Sequence, residues 1–330
     1  MDFDPPFKKT YKNLLENLSH EDYSKLFKTE EEMELPLIDL HLLNSTNLEI
    51  REKCVDEIVE AASQWGFFQV VNHGVSEEAL KSLRYEQEKL FHQPFEKKGE
   101  KKFLNIPENS YRWGNPMAFC LRQLSWSEAF HLSMADISRI NEECKSLRLT
   151  MEKFAQTVSG LAKTLAEVLA QNLGLKPTYL KESCPPYSSY LRLNRYPPCS
   201  YPSKVFGLLP HTDSDFLTIV YQDQVGGLQL LKDGRWLGVK PNPEALVINI
   251  GDLFQALSNG VYKSIKHRVV GAQVERFSAA YFLCPSNDTI IESCSQPAVY
   301  REFSFREYKR QVERDVQETG DKIGLESFLH

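Results

Sequence analysis

The chain has 330 residues, of which 42% are hydrophobic and 25% are charged, so it is long enough for one large globular domain or two small ones. Its net charge of −6 provides no basic field, which excludes nucleic acid as an expected partner. The sequence contains neither an apolar run of about 18 residues nor a signal-peptide core. Seven scattered cysteines without a Cys-x-x-Cys pair favour free thiols in a reducing compartment. We therefore expect a cytoplasmic protein without a membrane partner.

The first half of the chain alternates helical and strand patterns. Residues 1–34 are charged and polar, and they predict an N-terminal helix or a loosely packed arm. Apolar runs at 35–40 and 67–75 predict strands, and apolar residues recurring every three or four positions between them predict a helix ending at Gly66. Ser76, followed by two glutamates, is predicted to cap another helix.

The second half changes from a long helix to a β-rich region. The longest helical pattern starts near Leu147 and is closed by Gly174. Beyond residue 187, short β-rich runs separated by turn signals are typical of an all-β sandwich or barrel. A final helix is predicted after the capping residue Ser304, and it should stop at Gly320.

The stretch HTDSDFLTIV, which begins at residue 211, places two potential metal ligands at the head of a strand pattern. His211 and Asp213 are two residues apart, so they would lie on one face of a strand. His267, in SIKHRVV, is the other histidine among the β-rich runs. Two imidazoles and one carboxylate form the facial triad that holds non-haem Fe(II) and leaves positions open. Zinc is the competing metal, although its acidic ligand is commonly glutamate and the sequence has no His-Glu-x-x-His motif.

Two further strand patterns carry polar pairs that could bind an anionic co-substrate. Arg276 and Ser278 are two residues apart in ERFSAAYFL, and so are Asn194 and Tyr196 in LNRYPPC. A guanidinium is a rigid two-pronged donor for a carboxylate, and a neighbouring hydroxyl can add another hydrogen bond. Together with the metal ligands, these pairs predict a site for a metal ion and an anion.

The order and spacing of these motifs resemble the plant Fe(II)/2-oxoglutarate-dependent dioxygenases over nearly the whole chain. The resemblance also includes PLIDL at residue 36 and WGFFQVVNHGV at residue 65. It implies an α+β fold with a double-stranded β-helix (jelly-roll) core and flanking N-terminal and supporting helices, in one compact unit. We divide the chain accordingly into an N-terminal arm (1–34), an N-terminal dioxygenase segment (35–135), a supporting helix region (136–186), the jelly-roll core (187–300) and a C-terminal helix (301–330).

The resemblance assigns roles to the candidate site residues. Fe(II) would be bound by His211, Asp213 and His267. The distal carboxylate of 2-oxoglutarate would be held by Arg276, Ser278 and Tyr196, with Asn194 near the metal-binding end of the co-substrate. Oxygen and 2-oxoglutarate would yield succinate and carbon dioxide while an organic substrate is hydroxylated, with ascorbate as the expected reductant. Side chains would position the reactants and would do no proton chemistry.

A narrower resemblance is to the gibberellin 2-oxidases, and among them to the branch that acts on 20-carbon gibberellins. It is carried by SYRWGNPMAFCLRQLSWSEAFH at residues 110–131 and by HTDSDFLTI. It implies 2β-hydroxylation of a diterpenoid, which inactivates the hormone. The candidate substrate residues are Tyr111, Arg112, Trp113, Arg122 and Trp126. The aromatic ones would form an apolar wall, or would be core or loop residues, and one of the arginines would meet the substrate carboxylate.

Two alternative functions remain open from the sequence. Another oxygenase of the same superfamily would carry the same metal motifs, as a gibberellin 20- or 3-oxidase, a flavonoid oxygenase or the ethylene-forming oxidase. A non-catalytic jelly-roll protein that binds a small molecule is a different class. The complete ligand triad and the Arg-x-Ser pair argue against this second alternative, because a receptor would need neither.

Overall fold

The structure is a computed structural model that describes residues 3–16, 31–202 and 204–330. Its strands pair into a sheet of five, a sheet of eight and a separate two-stranded ladder. The strands are β1 (Glu32–Met33), β2 (Leu37–Asp39), β3 (Phe67–Val71), β4 (Tyr111–Trp113), β5 (Glu128–Ser133), β6 (Tyr190–Tyr196), β7 (Phe206–His211), β8 (Leu217–Gln222), β9 (Leu228–Lys232), β10 (Arg235–Val239), β11 (Leu246–Ile250), β12 (His267–Val270), β13 (Arg276–Leu283), β14 (Ile290–Ile291) and β15 (Phe303–Ser304).

The two larger sheets face each other. The smaller of them has the order β1-β10-β9-β12-β7, and the larger has the order β2-β3-β11-β8-β13-β6-β5-β4. Their inner faces share one apolar cluster, which includes Tyr196 and Val247 from the larger sheet and Leu230 and Val269 from the smaller one. This sandwich has the layered arrangement that the predicted jelly-roll core requires.

Helices cover the outer face of the larger sheet, where the longest helix, α8, packs on β8 and β13. No helix in the described ranges is both long and apolar enough to cross a membrane. The helices are α1 (Phe7–Thr10), α2 (Lys12–Glu16), α3 (Leu48–Gln64), α4 (Glu77–Phe91), α5 (Phe95–Lys98), α6 (Lys101–Leu104), α7 (Met134–Arg139), α8 (Lys145–Asn172), α9 (Tyr179–Ser183), α10 (Asp252–Leu257) and α11 (Phe305–Thr319).

Strand β6 shows how residue alternation separates the core from the inner face of the sandwich. Leu191 and Leu193 are fully buried in the apolar core that the sheet shares with the helices. Tyr190, Arg192 and Asn194 alternate with them and line a cavity between the sheets. One strand therefore contributes to both stability and the candidate site.

The helix ends follow the capping signals of the sequence. The Ser76 hydroxyl accepts a hydrogen bond from the backbone N–H of Ala79, and the Ser304 hydroxyl accepts one from that of Glu307. Helix α11 ends at Gly320, whose φ of 79° lies in the left-handed region that glycine adopts without strain. Both predicted N-caps and this predicted stop are confirmed.

The described part of the N-terminal arm is closely packed. It forms the short helices α1 and α2, and the side chains of Phe7 and Tyr11 are buried. The Phe7 ring stacks on Trp126 with the ring centroids 4.6 Å apart. Residues 3–16 are therefore packed on the domain by short helices, because these aromatic side chains complete an apolar cluster. Residues 17–30 of the arm lie outside the described residues.

A buried charge network connects the arm to the larger sheet. The Glu128 carboxylate is fully buried and pairs with the Lys98 ammonium and, at 2.6 Å, with the Arg195 guanidinium. Arg195 also pairs with Asp4 at 2.7 Å and with Glu275 at 2.5 Å. Because each buried charge has an opposite partner, the network avoids the large penalty of an isolated buried ion.

Candidate metal centre and substrate cavity

Three potential metal ligands converge between the two sheets. His211 ends β7 and His267 begins β12, and the two residues are direct partners in the smaller sheet. Asp213 follows in the turn after β7. One ligand atom from each of the three residues lies within 4.8 Å of the others. The Asp213 Oδ1 atom is 3.5 Å from His211 Nε2 and 3.8 Å from His267 Nε2.

Backbone carbonyls orient both imidazoles. Nδ1 of His211 lies 2.8 Å from the carbonyl oxygen of Leu209, and Nδ1 of His267 lies 3.0 Å from that of Ile265. An Nδ1–H that donates to a carbonyl leaves Nε2 with its lone pair, which is the form that binds a metal. Both Nε2 atoms therefore face the Asp213 carboxylate as potential ligands.

The protonation states also suit a divalent metal. The second carboxylate oxygen of Asp213 accepts hydrogen bonds from the Thr218 hydroxyl at 2.6 Å and the Asn249 amide at 2.7 Å. Burial opposes the negative charge, but the imidazoles of His267 and His211 and the Thr218 hydroxyl together hold the pKa of Asp213 well below its usual range. Burial, followed by the neighbouring His211, lowers the pKa of His267 to about 4. A charged carboxylate and a neutral imidazole are the metal-binding forms, so this donor set fits the facial triad of non-haem Fe(II).

A cavity of about 320 Å³ lies beside the three ligands. Both sheets and the C-terminal segment contribute to its wall. Its size is at the lower end of the range for small-molecule sites, and its wall is mainly apolar with a few polar groups, as is usual for such sites. The four residues predicted to bind the co-substrate all line it: Asn194, Tyr196, Arg276 and Ser278.

The Arg276 guanidinium is held in place but retains one free donor. Its Nε donates to the carbonyl oxygen of Gly226 at 2.6 Å, and its Nη2 donates to Oε1 of Gln222 at 2.8 Å. The Tyr196 ring lies under the guanidinium, 4.6 Å from its central carbon. Nη1 is buried and has no hydrogen-bond partner among the described residues. Since a buried unpaired donor is unfavourable, this atom fits the carboxylate of an anionic co-substrate.

Asn194 links the predicted co-substrate residues to a further arginine. Its Nδ2 donates to the Ser278 hydroxyl at 3.2 Å, and its Oδ1 accepts from Nε of Arg192 at 2.8 Å. Both amide atoms are therefore engaged, which fixes the orientation of the side chain. The arrangement places a second guanidinium on the cavity wall, next to the predicted clamp.

None of the five predicted substrate residues lines the cavity, and the three aromatic ones need correction. The Tyr111 hydroxyl donates to the buried Glu128 carboxylate. Trp113 packs edge-on against Phe7 with centroids 5.6 Å apart, and Trp126 stacks on the same ring. The N-terminal arm supplies the aromatic partner of both tryptophans, whereas the Tyr111 ring packs against Phe130 with centroids 5.0 Å apart.

The two predicted arginines are both exposed but lie in different places. Arg112 is on β4, where it pairs with Ala129 of β5, and Ala129 in turn pairs with Asn194 of β6. Directly paired residues lie on the same face of a sheet, so Arg112 is on the cavity-facing side of the larger sheet. Arg122 is in the 3₁₀ turn Leu121–Gln123, outside that sheet. Only Arg112 therefore shares a sheet face with the cavity-lining residues.

Several residues of the cavity wall were not among those predicted from the sequence. Tyr190 and Arg192 precede Asn194 at steps of two along β6, so the alternation that selected Asn194 and Tyr196 could have identified them. The Phe282 ring of β13 stacks on Tyr190 at 4.4 Å. Three further wall residues come from the C-terminal segment, which carried no predicted site residue: Val312, Val316 and Lys322.

Two protein families match the sequence. The 2OG-Fe(II) oxygenase superfamily matches residues 187–285, and the family described as non-haem dioxygenase in morphine synthesis N-terminal matches residues 35–149. Gibberellin 2-beta-dioxygenase 8 of Arabidopsis thaliana is 54% identical over 99% of this chain and 99% of its own length. Gibberellin 2-beta-dioxygenase 6 of Oryza sativa subsp. japonica is 48% identical over 90% of this chain and 86% of its own length.

Solved structures confirm the jelly-roll fold. The crystal structure of JOX2 in complex with 2OG, Fe and JA has a TM-score of 0.76 and 31% identity, covering 91% of this chain and 90% of that one. The dioxygenase for auxin oxidation in rice has a TM-score of 0.74 and 29% identity, covering 90% of this chain and 100% of that one. The chain therefore belongs to the 2OG-Fe(II) oxygenase superfamily, and it is an oxidoreductase.

Proposed function

We propose that this oxygenase hydroxylates gibberellins at C-2 on the β face, using Fe(II) and 2-oxoglutarate. The superfamily is defined by these two cofactors, and the two sequence relatives described above carry the name gibberellin 2-beta-dioxygenase. The structural observation that carries the proposal is the cavity beside the ligand triad, which combines an apolar wall with a guanidinium outside the co-substrate clamp. A cytoplasmic location and the use of ascorbate as reductant stay predictions from the sequence.

The metal is assigned to His211, Asp213 and His267. Bound there with 2-oxoglutarate and oxygen, Fe(II) supplies the oxidation that releases succinate and carbon dioxide and hydroxylates a C–H bond. The Nδ1 contacts hold both imidazoles with Nε2 toward the metal site, burial favours the neutral form of His267, and Thr218 and Asn249 donate to the Asp213 carboxylate. All three ligands line the cavity, so a substrate in the cavity lies next to the metal.

The distal carboxylate of 2-oxoglutarate is assigned to Arg276, Ser278 and Tyr196. Gly226 and Gln222 orient the guanidinium before the co-substrate arrives, and Nη1, which no described residue engages, is the donor that remains. Because the side chain is already ordered, little conformational entropy is lost on binding. Asn194 is assigned to the metal-binding end of the co-substrate.

Arg192 is assigned to a carboxylate of the organic substrate. Its Nε is engaged by Asn194, whereas its two terminal nitrogens donate to no group in the described ranges of the chain. A guanidinium presents parallel donors that match a carboxylate, and gibberellins are carboxylic acids. The side chain is half-buried on the cavity wall, so a bound carboxylate would be partly shielded from water.

The apolar part of the wall suits the fused rings of a diterpenoid. Tyr190 and Phe282 stack on each other at 4.4 Å and present a continuous aromatic surface. Val312 and Val316 of α11 contribute aliphatic surface to the same cavity. Burial of hydrocarbon against such a wall contributes about 25 cal/mol per Å² of apolar area removed from water.

We also propose that 20-carbon gibberellins are preferred over 19-carbon ones. A 20-carbon gibberellin keeps a free carboxylate where the 19-carbon forms have a lactone, so a selective site needs another cation near Arg192. Arg112 is the candidate, because it shares the sheet face of Arg192. Desolvation of the His131 ring, which stacks on Tyr190, and then the charges of Arg192 and Arg112 lower the pKa of His131 to about 4. The charges of both arginines therefore lie close enough to His131 to influence the same ring.

Competition between equimolar 20-carbon and 19-carbon gibberellins in one tube tests the proposal, with products identified by mass spectrometry. We expect 2β-hydroxylated 20-carbon product in excess. Arg192→Met should slow both substrates, since a hydrogen bond to a charged group contributes about 1.5–3 kcal/mol. Arg112→Met should reduce the preference, whereas the exposed control Arg122→Met should keep it.

Other outcomes would refute parts of the assignment. A preference for the 19-carbon substrate would refute the proposed selectivity. Oxidation at C-20 alone would make the protein a 20-oxidase. Formation of succinate without any hydroxylated gibberellin, but with a hydroxylated flavonoid, would refute the substrate class and leave the iron chemistry in place.

A further inference from the structure

A lysine from the C-terminal segment holds the turn that carries one of the metal ligands. Lys322 follows α11, and only 11% of its side chain is exposed. Its ammonium donates to the carbonyl oxygen of Thr212 and to the hydroxyl of Ser214, both at 2.8 Å, and pairs with Asp252 at 2.7 Å. Thr212 and Ser214 flank Asp213 in the sequence. One ammonium therefore holds the chain on both sides of the proposed carboxylate ligand.

Asp252 connects three elements at this point. Its Oδ2 accepts hydrogen bonds from the Thr212 hydroxyl at 2.9 Å and from the Tyr308 hydroxyl of α11, in addition to the ion pair with Lys322. Its backbone N–H donates to the carbonyl oxygen of Asp213 at 2.9 Å. The metal-binding turn, the start of α10 and the C-terminal helix thus share one buried carboxylate, whose charge Lys322 compensates.

The same C-terminal segment forms part of the cavity wall. Val312 and Val316 of α11 line the cavity, and so does Lys322. Tyr308 lies one helical turn before Val312, so the contact with Asp252 and the apolar wall are on neighbouring turns of one helix. The position of α11 at the cavity and the position of the metal-binding turn are therefore linked by direct contacts.

We propose that Lys322 is a positioning residue that fixes the turn at 211–215 in its metal-binding geometry and joins it to the cavity wall. The proposal rests on the metal role assigned to the triad, but it does not depend on which organic substrate is used. Without the ammonium, the Asp252 carboxylate would keep a buried charge without a cation, and the carbonyl of Thr212 would lose its partner. Loss of such outer partners commonly weakens metal binding about 10- to 100-fold.

The test measures metal affinity directly and needs no turnover. Mn(II), which suits carboxylate and imidazole ligands, is titrated into metal-free protein, and free Mn(II) is followed by electron paramagnetic resonance. Lys322→Met removes the charge and keeps an unbranched side chain, and we expect its Kd for Mn(II) to rise about tenfold or more. The matched control is Lys309→Met on α11, whose ammonium contacts the exposed Asn287 at 2.6 Å, and its Kd should not change.

Two further variants make the result decisive. Tyr308→Phe removes one hydrogen bond from Asp252 without changing any charge, so it should raise the Kd in the same direction but less. His267→Ala should abolish Mn(II) binding. Circular dichroism and thermal unfolding establish that each variant is folded at the temperature of the titration.

The outcomes distinguish the metal assignment of the triad from the proposed role of Lys322. If His267→Ala binds Mn(II) like the wild type, the metal assignment itself is wrong. If His267→Ala loses binding while folded Lys322→Met keeps the wild-type Kd, the metal assignment stands and the role of Lys322 is refuted. Should Lys322→Met fail to fold, an unchanged Kd in Tyr308→Phe would refute the proposed link.

Discussion

Replacement of Arg276 by lysine tests the co-substrate clamp, because lysine keeps the charge but lacks the planar fork. The three guanidinium nitrogens have different surroundings in the structure. Nε donates to Gly226 and Nη2 donates to Gln222, while Nη1 is buried and finds no partner among the residues that the structure describes. A single ammonium cannot satisfy both protein acceptors and also present an oriented donor to the distal carboxylate of 2-oxoglutarate.

The expected magnitude follows from the bonds that are lost. At least one charge-assisted hydrogen bond to the co-substrate disappears in Arg276→Lys, which corresponds to about 1.5–3 kcal/mol. That free energy equals a decrease of about 10- to 150-fold in affinity for 2-oxoglutarate. An unpaired acceptor at Gly226 or Gln222 should also lower the free energy of unfolding by about 1–3 kcal/mol.

Two assays measure the effect. The KM for 2-oxoglutarate is obtained from succinate formation at saturating iron, and calorimetric titration of 2-oxoglutarate into Mn(II)-loaded protein gives the affinity itself. Arg195→Lys is the matched control, because Arg195 is a buried arginine on the neighbouring strand but faces away from the cavity. It should lower stability without changing the KM. An unchanged KM in folded Arg276→Lys would mean that the carboxylate binds elsewhere.

Three further predictions concern the metal turn and the charge network. Asp213→Glu displaces a ligand by one methylene, so Mn(II) affinity should fall at least about tenfold in calorimetry, and wild-type affinity would contradict the triad. Gly251→Ala should lower the free energy of urea unfolding by about 1–3 kcal/mol, because a Cβ atom there would overlap the carbonyl of Asp215. At the exposed helical control Gly160→Ala, a Cβ would meet no atom of the described residues within 4 Å, so this change should be neutral or stabilising by up to about 1 kcal/mol. Burial opposes the charge on Glu275, but its histidine and arginine partners outweigh burial and lower the pKa of this carboxyl below 4.5. The charged Glu275 therefore stabilises the fold above about pH 4.5, and this contribution is lost as the pH falls through its folded-state pKa. The urea midpoint of Glu275→Gln should consequently depend less on pH in the acidic range than that of the wild type.

Residues on one strand could be placed from the sequence because alternation fixes their faces. This applies to the pair Arg276 and Ser278 in β13, and it applies to Asn194 and Tyr196 in β6. The approach of His267 to the turn after β7 depends on pairing between distant strands. No local sequence pattern encodes that pairing. The expectation that His267 would join His211 and Asp213 came from the resemblance to a family with a known topology.

The substrate side of the cavity was harder to predict because its residues come from parts of the chain that are distant in sequence. Trp126 could be core or cavity wall from its local sequence, and its burial was decided by Phe7 in the N-terminal arm. Lys322 reaches the turn at 211–215 because the chain folds back after Gly320. The hydrophobic pattern of the sequence does not predict where the chain runs after a helix ends. Arg192, in contrast, lies two residues before Asn194, and extending the same alternation would have identified it.

The packing of the N-terminal arm has a consequence for proteolysis. A protease must bind its target segment in an extended conformation, which residues 3–16 can adopt only after Phe7 and Tyr11 leave the core and Asp4 leaves Arg195. Loss of this segment after a cut would expose the Trp126 ring and would remove the Asp4 carboxylate from the buried Arg195 guanidinium. Cleavage within residues 3–16 would therefore follow the release of this segment from the domain, and its rate would report how often that release occurs.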